Sequence, residues 1–243
     1  MTLRDETDAA VGSLSVLADD VRRDLYFHVR EAATPISRDQ AAELVGISRN
    51  LAAFHLEKLV VAGLLTVSLP RLPRLRRPGR VPKLYAVADE QIELSLPPRR
   101  YRTIASVFIE SVQQGGDAAR ATALDAAASC GRQIGAATLE GARVGRLGVE
   151  RALGLVRPVL EDNGYEPEVH RTDGTQILLR NCPFHALLEA DQGLVCALNC
   201  ELVGGMLSGL GAEVLEARLI PRPEHCCVTV VPRARTEEPQ AAG

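Results

Sequence analysis

The sequence predicts an α+β chain in two domains, residues 13–94 and 101–232, and three observations carry that prediction. In SRDQAAELVGISRNLAAFHLEKLVVAGLL, residues 37–65, apolar side chains recur at helical spacing on both sides of a glycine. Two strand-like runs follow, on either side of an arginine- and proline-rich stretch. Beyond the paired prolines at 97 and 98, helical patterns give way to alternating strand-like and helical segments that hold most of the cysteines.

The first domain opens with a helix. LSVLADDVRRDLYFHVREA, residues 14–32, places Leu14, Leu17, Val21, Leu25 and Val29 on one face, while the acidic residues 1–12 read as frayed. Pro35 marks the helix end. Ser37 is the N-cap of a second helix with apolar positions Ala41, Ala42, Leu44 and Val45; Gly46 lets the backbone leave it, and Ile47 plugs the turn. Ser48 caps a third helix, in which Ala52, Leu56 and Leu59 face inward while Arg49, Asn50 and Ala53 stay outside. Gly63 ends that helix, and residues 64–69 and 81–87 can pair as a hairpin. LSLPPRR, residues 94–100, reads as a linker because consecutive prolines hold an extended path.

The outer side of the third helix has the shape and chemistry for a major groove. Its first turn, Ser48, Arg49 and Asn50, offers a guanidinium and an amide for guanine and adenine edges, and the helix dipole favours phosphate there. The hairpin tip carries Arg71, Arg74, Arg76, Arg77, Arg80 and Lys83, six cations in thirteen residues without one acid. Such a run needs water or an anionic partner. Directly after two helices joined by a turn it reads as the wing of a winged helix-turn-helix lying along the phosphate backbone of double-stranded DNA. The alternatives are a solvated loop and a module that binds protein instead of DNA.

HLEKLVVAGLL followed by GRVPKLY resembles the ArsR-like winged-helix transcription regulators, over about a third of the chain. The resemblance implies a homodimer reading a palindromic operator, with Arg49 and Asn50 in the helix and Arg77, Arg80 and Lys83 in the wing as contacts. Ser48, Ala53 and Arg76 adjoin these, and His55 matches the family's histidine, although on this helix it could equally pack against the scaffold.

Composition sets bounds on the rest. With 243 residues, 46% of them hydrophobic, the chain can bury a sizeable core. The net charge of -3 hides a split: residues 13–90 hold 12 Lys plus Arg against 9 Asp plus Glu, net +3, which leaves -6 for the remainder. No uncharged run of about 18 apolar residues occurs and the N-terminus lacks a signal-type hydrophobic stretch, so a cytoplasmic protein without membrane contact is expected. Absence of Trp and 3% aromatic content leave little for base stacking on single strands or RNA.

In the second domain, helices are expected over residues 101–114, with Ile104, Val107, Phe108 and Ser111 at helical spacing, over 118–142 and over 148–162, with Leu153, Val156 and Leu160 on one side. Gly115-Gly116 separates the first two. Alanine-rich faces permit close helix approach and suit a helical dimerisation region, or simply packing within the domain. Asn163-Gly164 turns the chain into strands within 165–173 and 175–182, then a helix over 185–210 closed by Gly211, and two final strands within 213–221 and 225–232. This is the pattern of an α/β sensor domain.

Five of the six cysteines fall in the last 62 residues: Cys182, Cys196, Cys200, Cys226 and Cys227. In a reducing compartment such clustering speaks for metal or redox sensing over disulfides. Three elements each offering a thiolate could converge on an iron-sulfur cluster or a soft metal, with Cys200 or His185 as a fourth ligand; the spacing does not match paired CxxC zinc sites, so zinc fits less well. Residues 226 and 227 should point to opposite faces, favouring Cys226. Against this, Cys196 and Cys200 on an apolar helix also suit core packing. NCPFHALLE, LVCALN and HCCV look like the effector domain of regulators related to the SufR-type iron-sulfur repressors, which implies Cys182, Cys196 and Cys226 or Cys227 as ligands. One further cysteine of the fuller pattern, between the helix and the last strand, is missing here. A regulator, most simply a repressor, is therefore expected, with an apolar small-molecule effector as the competing reading. An enzyme is not: no phosphate-binding glycine loop, HExxH or GxSxG appears.

Overall fold

A computed structural model describes residues 3–32, 34–69, 82–89, 92–95, 99–139, 147–170, 175–222 and 225–234. The chain is mixed α+β and divides into two compact units, Met1–Arg99 and Arg100–Gly243. Among the described residues no helix is long and apolar enough to cross a membrane.

In the first unit α1 (Leu3–Ser15) leads through a 3-10 turn (Val16–Ala18) into α2 (Asp20–Glu31), followed by β1 (Ile36–Ser37), α3 (Arg38–Val45), α4 (Arg49–Val61), β2 (Leu65–Ser68) and β3 (Leu84–Val87). The single helix expected over 14–32 is thus divided, and the stretch expected to fray is helical. Asp19 is the reason for the division: extended at φ −80°, ψ 126°, it accepts the Arg22 amide with its carboxylate and starts a new helix. Ser37 caps α3 in a reciprocal box with Gln40, and Gly46, left-handed at φ +75°, ends it. The sheet order is β1-β3-β2, antiparallel, with Leu65 opposite Val87 and Ile36 opposite Tyr85; β1 was too short to leave a sequence signal.

Leu25, Val29, Ile36, Ala41, Leu56, Leu59, Leu64, Leu65 and Tyr85 form the core of this unit. Fully burying each of the leucines is worth about 1.5–3 kcal/mol. Leu44, expected to face inward, lies on the exposed side of α3.

The second unit contains α5 (Tyr101–Gln114), α6 (Gly116–Thr138), α7 (Val149–Asp162), β4 (Pro167–Val169), β5 (Ile177–Leu179), a 3-10 turn (His185–Leu187), α8 (Leu188–Gly209), β6 (Leu215–Leu219) and β7 (Val228–Pro232). Its antiparallel sheet runs β4-β5-β7-β6. Val156, Val159 and Leu160 of α7 and Val203, Met206 and Leu207 of α8 share one core with Ile177, Leu179, Val228 and Val230 of the sheet. The expected 185–210 helix has a break at Asp191, whose backbone is non-helical and whose carboxylate accepts the Leu194 amide at 2.9 Å. On α5 the stripe Ile104, Val107 and Phe108 is exposed, and Ile109 with Val112 packs inward instead against Leu194 and Val195.

Helices α6 and α8 meet backbone to backbone. Gly131 and Gly135 of α6 face the turns around Leu202 and Met206, and Gly205 and Gly209 of α8 face Ala128 and Arg132, so that any Cβ at these four positions would overlap main-chain atoms of the other helix. Both series advance together, so the two helices run in the same direction. This close seam holds α8, and with it the cysteines on α8, in register with the rest of the unit.

Candidate functional site

Two groups of residues stand out, one in each unit. On α4 the Ser48 hydroxyl accepts the Leu51 amide at 3.3 Å, which starts the helix where the chain leaves the Gly46–Ile47 turn. Ser48, Arg49 and Asn50 are exposed at this N-terminal turn and Ala53 is half-buried. The Arg49 Nε lies 3.7 Å from Asp39 Oδ1, a solvent-exposed pair worth little against a phosphate or base partner. Phe54 and Val61 extend the exposed side of α4, where they line a shallow apolar groove with Ala53, Glu57 and Lys58.

His55 does not belong to that surface. It is 7% exposed, packed inside the unit with its Nδ1 3.8 Å from Asp19, because residue 55 falls on the same helical face as Ala52, Leu56 and Leu59. Of the two places read for His55, a DNA contact and packing against the scaffold, its burial fits the second. The Asp19 carboxyl beside it is held below its usual pKa, chiefly by the Arg22 backbone amide, with the Arg22 and His55 charges adding to this.

Lys83, expected as a wing contact, reaches back to α4 and pairs with Glu57 at 2.6 Å, and Tyr85 of β3 donates its hydroxyl to the same carboxylate at 3.0 Å. Glu57 thus ties α4 to the hairpin, a role with no signal in its own sequence context, since both partners come from the KLY run of residues 83–85. The Lys83 bond lowers the Glu57 pKa; burial, reinforced by Glu57, pushes Tyr85 up to about 12. Arg76, Arg77 and Arg80, with the rest of the basic tip, lie outside the described residues.

The second group is assembled from four places in the chain. Cys182 follows β5, Cys226 precedes β7 with its amide bonded to the Leu179 carbonyl at 2.7 Å, Asn199 lies on α8, and Tyr165 follows α7. Asn199 Nδ2 donates to the Cys226 sulfur at 3.2 Å and to the Cys182 sulfur at 3.9 Å, while its Oδ1 accepts the Tyr165 hydroxyl at 2.5 Å. The Cys182 thiol also donates a hydrogen bond to the Cys226 sulfur. That bond is the main cause that lowers the Cys226 pKa and raises that of Cys182, so the pair favours one shared negative charge with the proton on Cys182. Cys200, half-buried, is pushed up to about 11 by burial first, then by Glu201 and Cys226.

Cys196 and Cys227 are joined as a disulfide. Cys196 and Cys227, two of the expected metal ligands, are therefore not free thiolates, and the expectation that only one of residues 226 and 227 can face a shared site is corrected, since both reach α8. The pair precedes β7, where strand alternation does not yet apply, so Cys226 reaches Asn199 while Cys227 reaches Cys196 one turn earlier. His185 is exposed. Among the described residues no set of three or more His, Cys, Asp or Glu is arranged to hold a metal ion. Two of the five sulfurs are bonded to each other, and Cys182, Cys200 and Cys226 do not by themselves form such a set. Reduced, the same segments present five thiols from three elements, a donor set of the kind iron-sulfur clusters and soft metals take.

No protein-family model, no curated protein and no solved structure matches this chain.

Proposed function

We propose that the chain is a transcription regulator, a repressor in its simplest form, that binds a double-stranded DNA operator as a homodimer through a winged helix-turn-helix in the first unit. The second unit reports iron-sulfur, metal or redox state through its cysteines. The observation that carries the DNA half is the separately capped helix pair α3 and α4, which leaves Ser48, Arg49 and Asn50 exposed at the start of α4, with the antiparallel β2-β3 hairpin tied to the same helix through Glu57. An N-terminal turn with an exposed guanidinium and amide suits base edges, and its dipole suits phosphate. The sensing half is supported by the pairing of Cys182 with Cys226 beside Asn199 and of Cys196 with Cys227, all drawn from the segment after β5, from α8 and from the segment before β7.

In this reading Cys182, Cys200 and Cys226 would hold a cluster together with Cys196 and Cys227, after a dithiol reductant has given two electrons to their disulfide and released both as thiols. Such a cluster supplies reversible one-electron chemistry and can be lost under oxidation. Gain or loss of ligand sulfurs would act on DNA only through a difference in affinity between the two states.

The test pairs duplex-binding titrations over a salt series with anaerobic iron and sulfide analysis. Binding that weakens steeply with salt, together with iron that disappears in Cys182→Ser, is the expected result. Salt-insensitive or absent duplex binding overturns the DNA half, and equal operator affinity in the loaded and stripped protein overturns the sensing half.

A further inference from the structure

Asn199 is one of three buried polar side chains among the described residues, and at 1% exposure it has no access to water. An uncompensated amide there would cost about 1–3 kcal/mol, so its partners matter. All of them belong to the cysteine centre: the amide nitrogen lies 3.2 Å from the Cys226 sulfur and 3.9 Å from that of Cys182, and the carbonyl oxygen is held by Tyr165.

The geometry points to Asn199 as a positioning residue that sets the electronic properties of the sulfur centre, with Tyr165 holding its amide in the donating orientation. This inference rests on the proposed reading of the cysteines as a cluster site. An amide hydrogen bonded to sulfur withdraws electron density from it and favours whichever state of the centre carries more negative charge. For a cluster bound through those sulfurs that is the reduced state, so each such bond raises the reduction potential. Tyr165 matters because a free amide could rotate and present its oxygen, a lone-pair donor, to the same sulfurs. The hydroxyl prevents this by occupying that oxygen, and it remains a neutral donor because burial, helped by the charge that the two cysteines share, holds its pKa well above the normal tyrosine value.

Two variants of the full chain test this: N199L, close in volume but unable to donate, and Y165F, which leaves Asn199 in place but unanchored. Each is purified and reconstituted with iron and sulfide without oxygen, and the reduction potential of the visible chromophore is measured, with circular dichroism and thermal melting as the check on folding. The expected result is a chromophore in all three proteins, with the potential lowered in N199L and lowered less in Y165F. Potentials equal to that of the parent in both folded variants overturn the inference and leave the cluster reading intact. A parent protein that binds no iron overturns the cluster reading and the inference with it. Should N199L fail to fold, Y165F alone decides, since it removes one hydroxyl and no packing volume.

Discussion

The helix pair of the first unit and the cysteine centre of the second are built in opposite ways. Ser37, Gly46 and Ser48 act on neighbours within a few residues, and the face they expose is read along one stretch of chain. The cysteine centre draws Tyr165, Cys182, Asn199 and Cys226 from four separate places along the chain, and its geometry depends on α8 lying where the glycine seam with α6 holds it. A site of the first kind tolerates damage elsewhere in the fold. A site of the second kind should fail when its scaffold shifts, even if every one of its own residues is kept.

The largest effect should come from breaking that scaffold. Gly205→Val places side-chain atoms against the Ala128 carbonyl, and with no flexible neighbour to yield it should cost more than about 4 kcal/mol in the second unit. Thermal unfolding followed separately for the two units should show the second melting early while DNA binding through the first is kept; loss of both together would mean that the units are not independent.

Leu56→Ala removes a fully buried side chain from the first unit and should cost about 3 kcal/mol. Here the cysteine centre should survive, so thiol accessibility measured with a maleimide reagent should stay at the parent value. Arg49→Ala should leave stability unchanged and weaken operator binding by ~1–3 kcal/mol, confined to one base position. A uniform loss over all sequences would reassign Arg49 from base to phosphate.

The smallest effect concerns pH. Asp19 and Glu57 have carboxyl pKa values lowered in the folded state, so the stability they contribute is present above their ordinary values of 3.8 and 4.5 and is lost as pH falls below them. Tyr85 works in the other sense: its value is raised from 10.0 to about 12, so its contribution is present below 10 and lost as pH rises through that window. Melting temperatures of the first unit from pH 3 to 7, about the range of these carboxyls, should fall toward acid, and less so in Glu57→Gln, whose hydrogen bond from Tyr85 can persist without charge.

Local chemistry was legible where it was local. The three caps and turns around α3 and α4, the hairpin pairing of residues 65–68 with 84–87, and the inward face of α7 all follow from side chains acting on their own backbone or from helical periodicity. Asp19 shows the limit, since an acidic residue in mid-pattern looks the same whether it sits on a helix surface or caps a new helix. On α5 periodicity marked an apolar stripe but could not say that Ile109 and Val112, one step around, would be the buried ones.

By itself, then, the sequence determined the α+β class, the capped helix pair with its exposed Arg49 and Asn50, and the concentration of cysteines near the end of the chain. Only the tertiary structure decided that His55 turns inward to Asp19, that Lys83 is held by Glu57, that Cys196 joins Cys227, and that Asn199 stands between Tyr165 and two thiols. The reason is range. Caps, turns and amphipathic faces are settled by interactions over three or four residues, whereas which sulfur meets which depends on how β5, α8 and β7 pack, and that is settled by the whole core together.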